Sequence, residues 1–420
     1  MKEMDLFQDL PDELIILQAL ELDLPSITRL CQSNPRFNQI ICDNELFWRY
    51  KFIKDYQFNP IYYTGSWKLL YREYGSVWVF GDNHAGQLGL GDRENRNVPV
   101  RIPNLKAKFV SAGGSHTILI DLNDDVWVFG QNEYGQLGLG DRQDRYIPTR
   151  IPNLKAKSIS AGDYHTVLID LNDDVWAFGL NNYGQLGLGD DNVIRNVPVR
   201  IPNLKAKSIS AGGAHTVLID LNNDVWVFGL NEKGQLGLGD RQDRYIPTRI
   251  PNLKAKSISA GGAHTVLIDS NDDVWVFGSN DFGQLGLGDE QNGDIPTQIP
   301  NLKAKSISAG GAHTVLIDSN DDVWVFGTND AGQLGLGDEQ DRNVPTQVPN
   351  LKAKSVSAGE FHTILIDLND DVWAFGMNDA GQLGLGDQQD RYIPTQAPNL
   401  KAMFVSAGYY HTIVIGTQIV

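Results

Sequence analysis

The sequence is poor in cysteine. Two residues, Cys31 and Cys42, stand in a chain of 420. That is too few for a disulfide framework, and it fits a reducing compartment. The opening Met1-Lys2-Glu3-Met4-Asp5 lacks the basic and apolar regions of a secretory signal. No uninterrupted apolar run approaches the about 20 residues of a membrane helix. Basic residues are also short, with Lys and Arg at 35 against 52 Asp and Glu, a net charge of −17. A field of that sign repels phosphates and disfavours a general binder of nucleic acid or anionic membrane. No basic import cluster is present, so a soluble intracellular protein of cytoplasm or nucleus is expected. Hydrophobic residues make up 41%, which marks a globular chain.

Glycine is abundant instead, and its 43 residues sit at fixed places. The run Gly-Gln-Leu-Gly-Leu-Gly-Asp begins at Gly86 and recurs at Gly135, Gly184, Gly234, Gly283, Gly332 and Gly381. Each copy follows a Val-Trp-x-Phe-Gly segment, whose tryptophans run from Trp78 to Trp373 in steps of 49, with one step of 50 between Trp176 and Trp226. The segments His165-Thr166-Val167-Leu168-Ile169 and Val175-Trp176-Ala177-Phe178-Gly179 are β-branched or aromatic and bounded by turn residues, so they read as strands. Asn172-Asp173 sits between them where a hairpin reverses. Repeats of this length built of antiparallel strands are propeller blades. The first repeat begins at its Trp strand, and the last ends after His411-Thr412-Ile413-Val414-Ile415. The two halves sum to one, so the ring is expected to close by pairing these strands into seven blades, which removes free sheet edges.

Residues 1–76 carry none of this signal. Leu10-Pro11-Asp12-Glu13-Leu14, Pro25-Ser26, Asn34-Pro35 and Asp43-Asn44 read as helix starts. Leu14, Leu17 and Leu20 recur at helical spacing, and Ser66-Trp67-Lys68-Leu69-Leu70-Tyr71 reads as one more helix before Gly75-Ser76. So small a helical unit has a poor surface-to-volume ratio and is served by a partner on its apolar face. The order Leu10-Pro11-x-Glu13-Leu14, Leu22-Asp23-Leu24 with Ile27 and Leu30, then Phe37, Ile40 and Leu46-Phe47-Trp48, resembles the F-box from about Leu6 to Asp55. The resemblance implies docking on a Skp-type adaptor of a cullin ubiquitin ligase through Leu10, Pro11, Leu14, Ile27 and Leu30. It also implies that Phe37, Ile40 and Trp48 are shared between core and interface. A plain helical cap for the repeats is the competing reading.

The repeats themselves, Ser-Ala-Gly-x-x-His-Thr, Val-Trp-x-Phe-Gly-x-Asn and Gly-Gln-Leu-Gly-Leu-Gly-Asp, resemble those of the regulator of chromosome condensation family over about 340 residues. One departure is the hairpin, where the family's usual Asp-Gly is replaced by Asn-Asp-Asp or Asn-Asn-Asp, residues that also tolerate the left-handed region. The expected fold is therefore mainly β: a seven-bladed propeller over 77–415, preceded by an F-box-like all-α domain over 1–60 and a linker helix over 61–76, and followed by a tail over 416–420.

Little here reads as catalysis. His116, His165, His215, His264, His313, His362 and His411 hold one position in every repeat, whereas a catalytic or metal site needs a single asymmetric constellation. They read as a repeated hydrogen bond between strands. Each Trp reads as apolar burial between blades. The glycine runs lack the Lys-Ser/Thr end of a phosphate loop and read as tight turns. Lys106, Lys108 and their equivalents read as solubilising residues of an outer strand. No cofactor and no metal is expected.

Against near-identical blades, the positions that differ stand out. The pair before His is Gly114-Ser115, Asp163-Tyr164, Glu360-Phe361 or Tyr409-Tyr410, and Gly-Ala in the rest. The loop after Phe-Gly carries His84, Tyr134, Tyr183, Lys233 or Phe282. The loop after Gly-Gln-Leu-Gly-Leu-Gly-Asp departs at Asp191-Asn192-Val193-Ile194-Arg195 and Glu290-Gln291-Asn292-Gly293-Asp294. Aromatic residues among acids on loops suit protein recognition. His84, Tyr134, Tyr164, Tyr183, Lys233, Phe282, Phe361, Tyr409 and Tyr410 are the candidate target contacts. Drift in unconstrained loops is the competing reading.

The leading functional expectation is a non-catalytic substrate receptor of a Skp–cullin–F-box ligase, monomeric outside that complex. A propeller scaffold without a ubiquitin role is one alternative. A guanine nucleotide exchange factor, the activity of the family's founding member, is another. That protein acts through a wedge inserted in a blade and has a basic tail; the even spacing here leaves no room for such a wedge, and no basic tail precedes Val77.

Overall fold

Pro11 opens the first helix of the computed structural model, which describes residues 10–56, 66–68, 74–190 and 194–418. The chain divides into two compact units, Met1–Tyr74 and Gly75–Val420. In the first, α1 (Asp12–Ala19) and α2 (Leu24–Ser33) are followed by a short turn that becomes π-helical over Asn38–Cys42, and then by α3 (Glu45–Tyr56). Two of these starts are capped by side chains: Asp23 accepts from the Ser26 amide at 2.9 Å, and Asn44 accepts from the Leu46 amide at 3.0 Å. The core is Ile15, Ala19, Ile27, Leu30, Phe37, Ile41, Phe47, Trp48 and Phe52. The Trp48 indole donates to the Cys42 carbonyl at 3.0 Å.

This core bears on the residues expected to meet an adaptor. Ile27, Leu30 and Trp48 are interior residues, because a unit this small consumes its large apolar groups in its own core. On α1 the inward positions are Ile15 and Ala19, while Leu14 and Leu17 face out; Pro11 is exposed and Leu10 half-buried. Cys31 and Cys42 are joined in a disulfide, with Cα atoms 6.2 Å apart, since α2 packs directly on the π turn. Of the expected linker helix over 61–76, residues 66–68 and 74–76 lie within the described region, and Ser76 opens a strand; residues 1–9, Leu6 among them, lie outside it.

In the second unit the repeats supply a hairpin and a long strand that serves two sheets, the long strand being interrupted after Lys254 and after Lys303. In one repeat, His165–Asp170 pairs antiparallel with Asp174–Leu180, which pairs in turn with Ile194–Ala211. The far half of that long strand pairs with His215–Asp220 of the next sheet. The handover occurs at a bulge: Trp176 faces Arg200, but Asp174 faces Lys205. Asn203 at φ 55° forms it after Pro202, a left-handed Asn after Pro as in a type II turn. At the hairpin tip the left-handed residue is Asp173, φ 71°, in the place of the family's glycine. Asp170 organises this tip. Its Oδ1 accepts from the amides of Asn172 and Asp174 at 2.8 and 3.0 Å, and its Oδ2 accepts from the Trp176 indole at 3.0 Å. The lysines of the long strand also serve the tip: Lys157 is ion-paired with Asp173 and Lys108 with Asp124. They are turn partners as well as solubilising groups, at partly exposed sites worth about 0–1 kcal/mol each.

The ring closes through the ends of the unit. Ser76–Gly81 pairs with His411–Gln418, with Val77 opposite Ile415 and Gly81 opposite His411. The closing strand extends to Gln418, opposite Leu400, so residues 416–418 are strand rather than tail. Trp78, which has no hairpin Asp, donates instead to the Gly416 carbonyl at 3.2 Å.

Between sheets the buried aromatic is phenylalanine. Trp127 and its equivalents are half-buried at the margin, whereas Phe129 and its equivalents are fully enclosed. Strand alternation places both on one face, but the indole must reach outward to meet its Asp. Gly89, at φ 66°, lies on the Phe129 ring so closely that a Cβ there would come within 2.9 Å. The same contact joins Gly138 to Phe178 and onward around the unit, until Gly384 meets Phe80 of the first sheet. Phe80→Ala is expected to lower stability by about 3–5 kcal/mol, measured by urea denaturation, with Trp78→Ala costing less. Equal losses would contradict this assignment of the inter-sheet core.

Candidate protein-binding face

Two short loops meet at one end of each sheet: the pair before His and the segment after Phe-Gly. They lie together because His165 faces Gly179 in the hairpin, while the Asp-rich tip lies at the opposite end. Beneath the loops runs a chain of hydrogen bonds between sheets. His116 Nε2 meets Thr166 Oγ1 of the next sheet at 2.9 Å, and the Thr166 hydroxyl donates to the Gln136 carbonyl at 2.8 Å. Because that hydroxyl proton is committed to the carbonyl, the histidine is the donor and carries its proton on Nε2. The series runs through His165 and Thr216, His215 and Thr265, His264 and Thr314, His313 and Thr363, and His362 and Thr412. It closes at His411 and Thr117, 3.2 Å apart. Burial holds every one of these imidazoles neutral, His264 down to about 4 and the others to about 3, with neighbouring histidines adding to the effect in most cases.

The loops above this belt are clipped by a buried asparagine. Asn132 accepts from the Leu137 amide at 3.0 Å and donates to the Asp141 carbonyl at 3.1 Å, which fixes the Gly-Gln-Leu-Gly-Leu-Gly-Asp loop against its own strand. Inside the belt, Gly113, Gly162, Gly212 and their equivalents surround an axial channel of about 100 Å³. A Cβ on Gly162 would lie 2.4 Å from the Gly212 carbonyl oxygen, so only glycine permits this approach.

At the mouth of the channel the repeat symmetry breaks. Gly114 aside, the first residue of each pair lines it, and there Asp163, Glu360 and Tyr409 replace glycine. Burial pushes Asp163 up to about 6, against the opposing hydrogen bond from Tyr409. Burial, and then the charge of Asp163, pushes Glu360 up to about 7. Tyr409 is raised by burial and by both acids. The second residues form an aromatic rim: Phe361 stacks on Tyr410 at 5.9 Å, and Tyr410 meets Tyr409 edge-on at 6.3 Å. Tyr134, from the Phe-Gly loop, meets Tyr164 at 5.1 Å.

Five of the nine candidate contacts, Tyr134, Tyr164, Phe361, Tyr409 and Tyr410, thus fall into ring contacts around this mouth. No ring contact joins Tyr183 or Phe282 to them among the described residues; both are exposed. Lys233 pairs with Asp281 of the next loop at 2.8 Å, and His84 pairs with Asp82. The acids of these pairs, Asp163 and Glu360, are not among the expected contacts, although both stand where other repeats carry glycine. The departure at 191–193 lies outside the described residues. Among the described residues, no group of three or more His, Cys, Asp or Glu is placed to hold a metal ion, and no helix is long and apolar enough to cross a membrane.

The neutral histidines set a pH dependence. Their folded pKa values lie below the ordinary 6.5, so the stability they confer is complete above that value and is lost as pH falls toward 4 and 3. Each contributes up to about 1.4 kcal/mol per pH unit in this window. Asp163 and Glu360, shifted upward, act in the opposite direction, but they are two against seven. The melting temperature is expected to fall steeply between pH 6.5 and 5. A flat or rising profile across that interval would refute the neutral belt.

Comparison with known proteins follows the same geometry. Residues 74–120, 123–169, 172–219 and 222–268 match the regulator of chromosome condensation (RCC1) repeat, and residues 252–414 match the RCC1-like domain. No curated protein matches the chain. Among solved structures, human WBSCR16 superposes with a TM-score of 0.75 at 20% identity, covering 82% of this chain and 99% of that one. Prp20p of Saccharomyces cerevisiae, described with its binding properties to Gsp1p and histones, gives 0.75 at 23% identity, covering 83% and 92%. At such identities the likeness is one of fold. The chain carries regulator of chromosome condensation repeats and folds as an RCC1-like propeller.

Proposed function

We propose that this chain is a non-catalytic, intracellular protein-binding scaffold: a seven-bladed propeller that holds a target protein on the face bearing Tyr134, Tyr164, Phe361 and Tyr410. The observation that carries this reading is the asymmetry of the mouth. Departures from the repeat at the pair before His occupy one arc, Glu360-Phe361, Tyr409-Tyr410, Gly114-Ser115 and Asp163-Tyr164, while the remaining pairs are Gly-Ala. Belt and core contacts recur in every repeat and hold the fold; this arc does not recur. Clustered aromatic residues amid polar loops have the composition of a recognition centre. Prp20p, of similar fold, is described as binding Gsp1p and histones, which supports a propeller used as a docking platform.

A second reading is favoured by the helical unit. Leu14 and Leu17 on α1, and Leu46 and Tyr50 on α3, are each about half exposed or more, spaced to form apolar stripes. These residues fit docking on a Skp-type adaptor, which would make the scaffold the target-holding subunit of a cullin ligase.

Affinity capture with the full chain separates the readings. Tyr164→Ala with Tyr410→Ala is expected to weaken target capture by about 1–2 kcal/mol per residue, roughly five- to thirtyfold, with the melting temperature preserved. Leu14→Asp with Leu17→Asp is expected to leave target capture intact and to abolish adaptor co-purification if the ligase reading holds. Nucleotide release from a small GTPase, stimulated by the parent and lost in the rim variant, would replace the scaffold with an exchange factor.

A further inference from the structure

We propose that the mouth of the axial channel is a pocket for one cationic side chain, an arginine or lysine carried on the partner polypeptide, with Asp163 and Glu360 as its counter-charges. This rests on the reading of the face as protein-binding and specifies the chemistry it recognises.

The pocket has an opening, a charge and a collar. Its floor and walls are the glycines and alanines of the inner strands, so the axis stays open. The two carboxyl groups lean along the collar toward each other: Asp163 Oδ2 lies 3.2 Å from where a Gly213 Cβ would be, and Glu360 Oε2 lies 2.5 Å from where a Gly311 Cβ would be. Only Gly262 separates those two glycines around the ring. On the other side Tyr409 stands beside Asp163, close enough to oppose the rise in its pKa. None of the residues lining the channel is basic. The Glu360 amide donates to the Gly408 carbonyl at 3.2 Å, but its carboxyl group has no hydrogen-bonding or ionic partner among the described residues, and its strongest charged neighbour is another acid. Two uncompensated carboxyl groups beside a cavity are costly to charge, and a cation between them removes that cost.

An independent feature has the same sign. The Nδ1 atoms of the belt histidines are fully buried and without a hydrogen-bond partner among the described residues. They lie against the channel wall: a Cβ on Gly113 would be 2.8 Å from His116 Nδ1, and one on Gly408 would be 2.8 Å from His411 Nδ1. Since Nε2 carries the proton, each Nδ1 is left as an unpaired acceptor behind the glycines of the wall. Above the collar, the paired rings of Phe361 with Tyr410 and of Tyr134 with Tyr164 offer faces on which a guanidinium or the stem of a lysine can rest. A chain of net charge −17 draws a basic partner to this face. A side chain is favoured over a bare metal ion because a narrow shaft walled by glycine and alanine suits an aliphatic stem, whereas the collar supplies only two carboxyl groups.

The test uses the full-length chain and two capped pentapeptides, Gly-Ser-Arg-Ser-Gly and its citrulline counterpart, which has the same shape without the charge. Titration calorimetry is expected to show binding of the arginine peptide to the parent. At least a roughly tenfold loss is expected with citrulline, and the same with Asp163→Asn, Glu360→Gln. That variant is expected to melt no lower than the parent, because two like, partly buried charges have been removed. The proposal is overturned by no arginine binding up to about 10 mM, by equal binding of both peptides, or by an unaffected variant. Stabilisation by calcium chloride without competition from the arginine peptide would make the mouth a metal site and also overturn it. A captured target that survives the acid variant but is lost on Tyr164→Ala, Tyr410→Ala would leave the protein-binding face standing and remove the cation pocket alone. Loss of neither would remove both.

Discussion

Everything in the repeat unit depends on one buried linkage: a neutral histidine donating to the threonine of the next sheet, whose hydroxyl donates to a glutamine carbonyl of the loop before it. Each link joins two sheets and one loop, and its histidine and threonine are fully buried. The histidine Nε2, the threonine hydroxyl and the glutamine carbonyl satisfy one another, and loss of either side chain strands a buried polar group, a cost of about 1–3 kcal/mol. The glycine on the phenylalanine ring is its apolar counterpart, placed by the same loop. Around these two contacts the rest of the motif follows. Asn132 clips the loop, Asp170 shapes the hairpin tip, and the glycines at the axis let neighbouring inner strands approach.

A ring so over-determined leaves few places for function. The residues free to vary without opening it are those above the belt, and there the sequence does vary. Replacing glycine by Asp163 or Glu360 adds a carboxyl group to a crowded collar and raises its pKa. Such groups disfavour the empty fold and favour a compensating ligand. The belt below pays for this by its rigidity, since the loops carrying the rim stand on strands that cannot shift independently.

The fold was legible because its determinants repeat. Strand positions, hairpins and the closing of the ends followed from the period and from the two half-repeats. Partition between neighbouring aromatics was not legible: Trp176 and Phe178 share a strand face, and only the hydrogen bond to Asp170 shows which stays at the margin. Nor was the full burial of Ile27 and Leu30, since a helical stripe does not reveal whether it faces a core or a partner. Asp163 and Glu360 were visible as departures, but their convergence comes from ring geometry, which brings residues nearly 200 positions apart to one mouth.

The central claim is that the face around this mouth holds the partner. Hydrogen exchange of the full chain, free and with its captured target, reads this directly. Protection is expected in the loops at 133–136, 163–164, 360–361 and 409–410. Protection confined to the opposite hairpin tips, such as 121–125 and 170–174, would contradict the account.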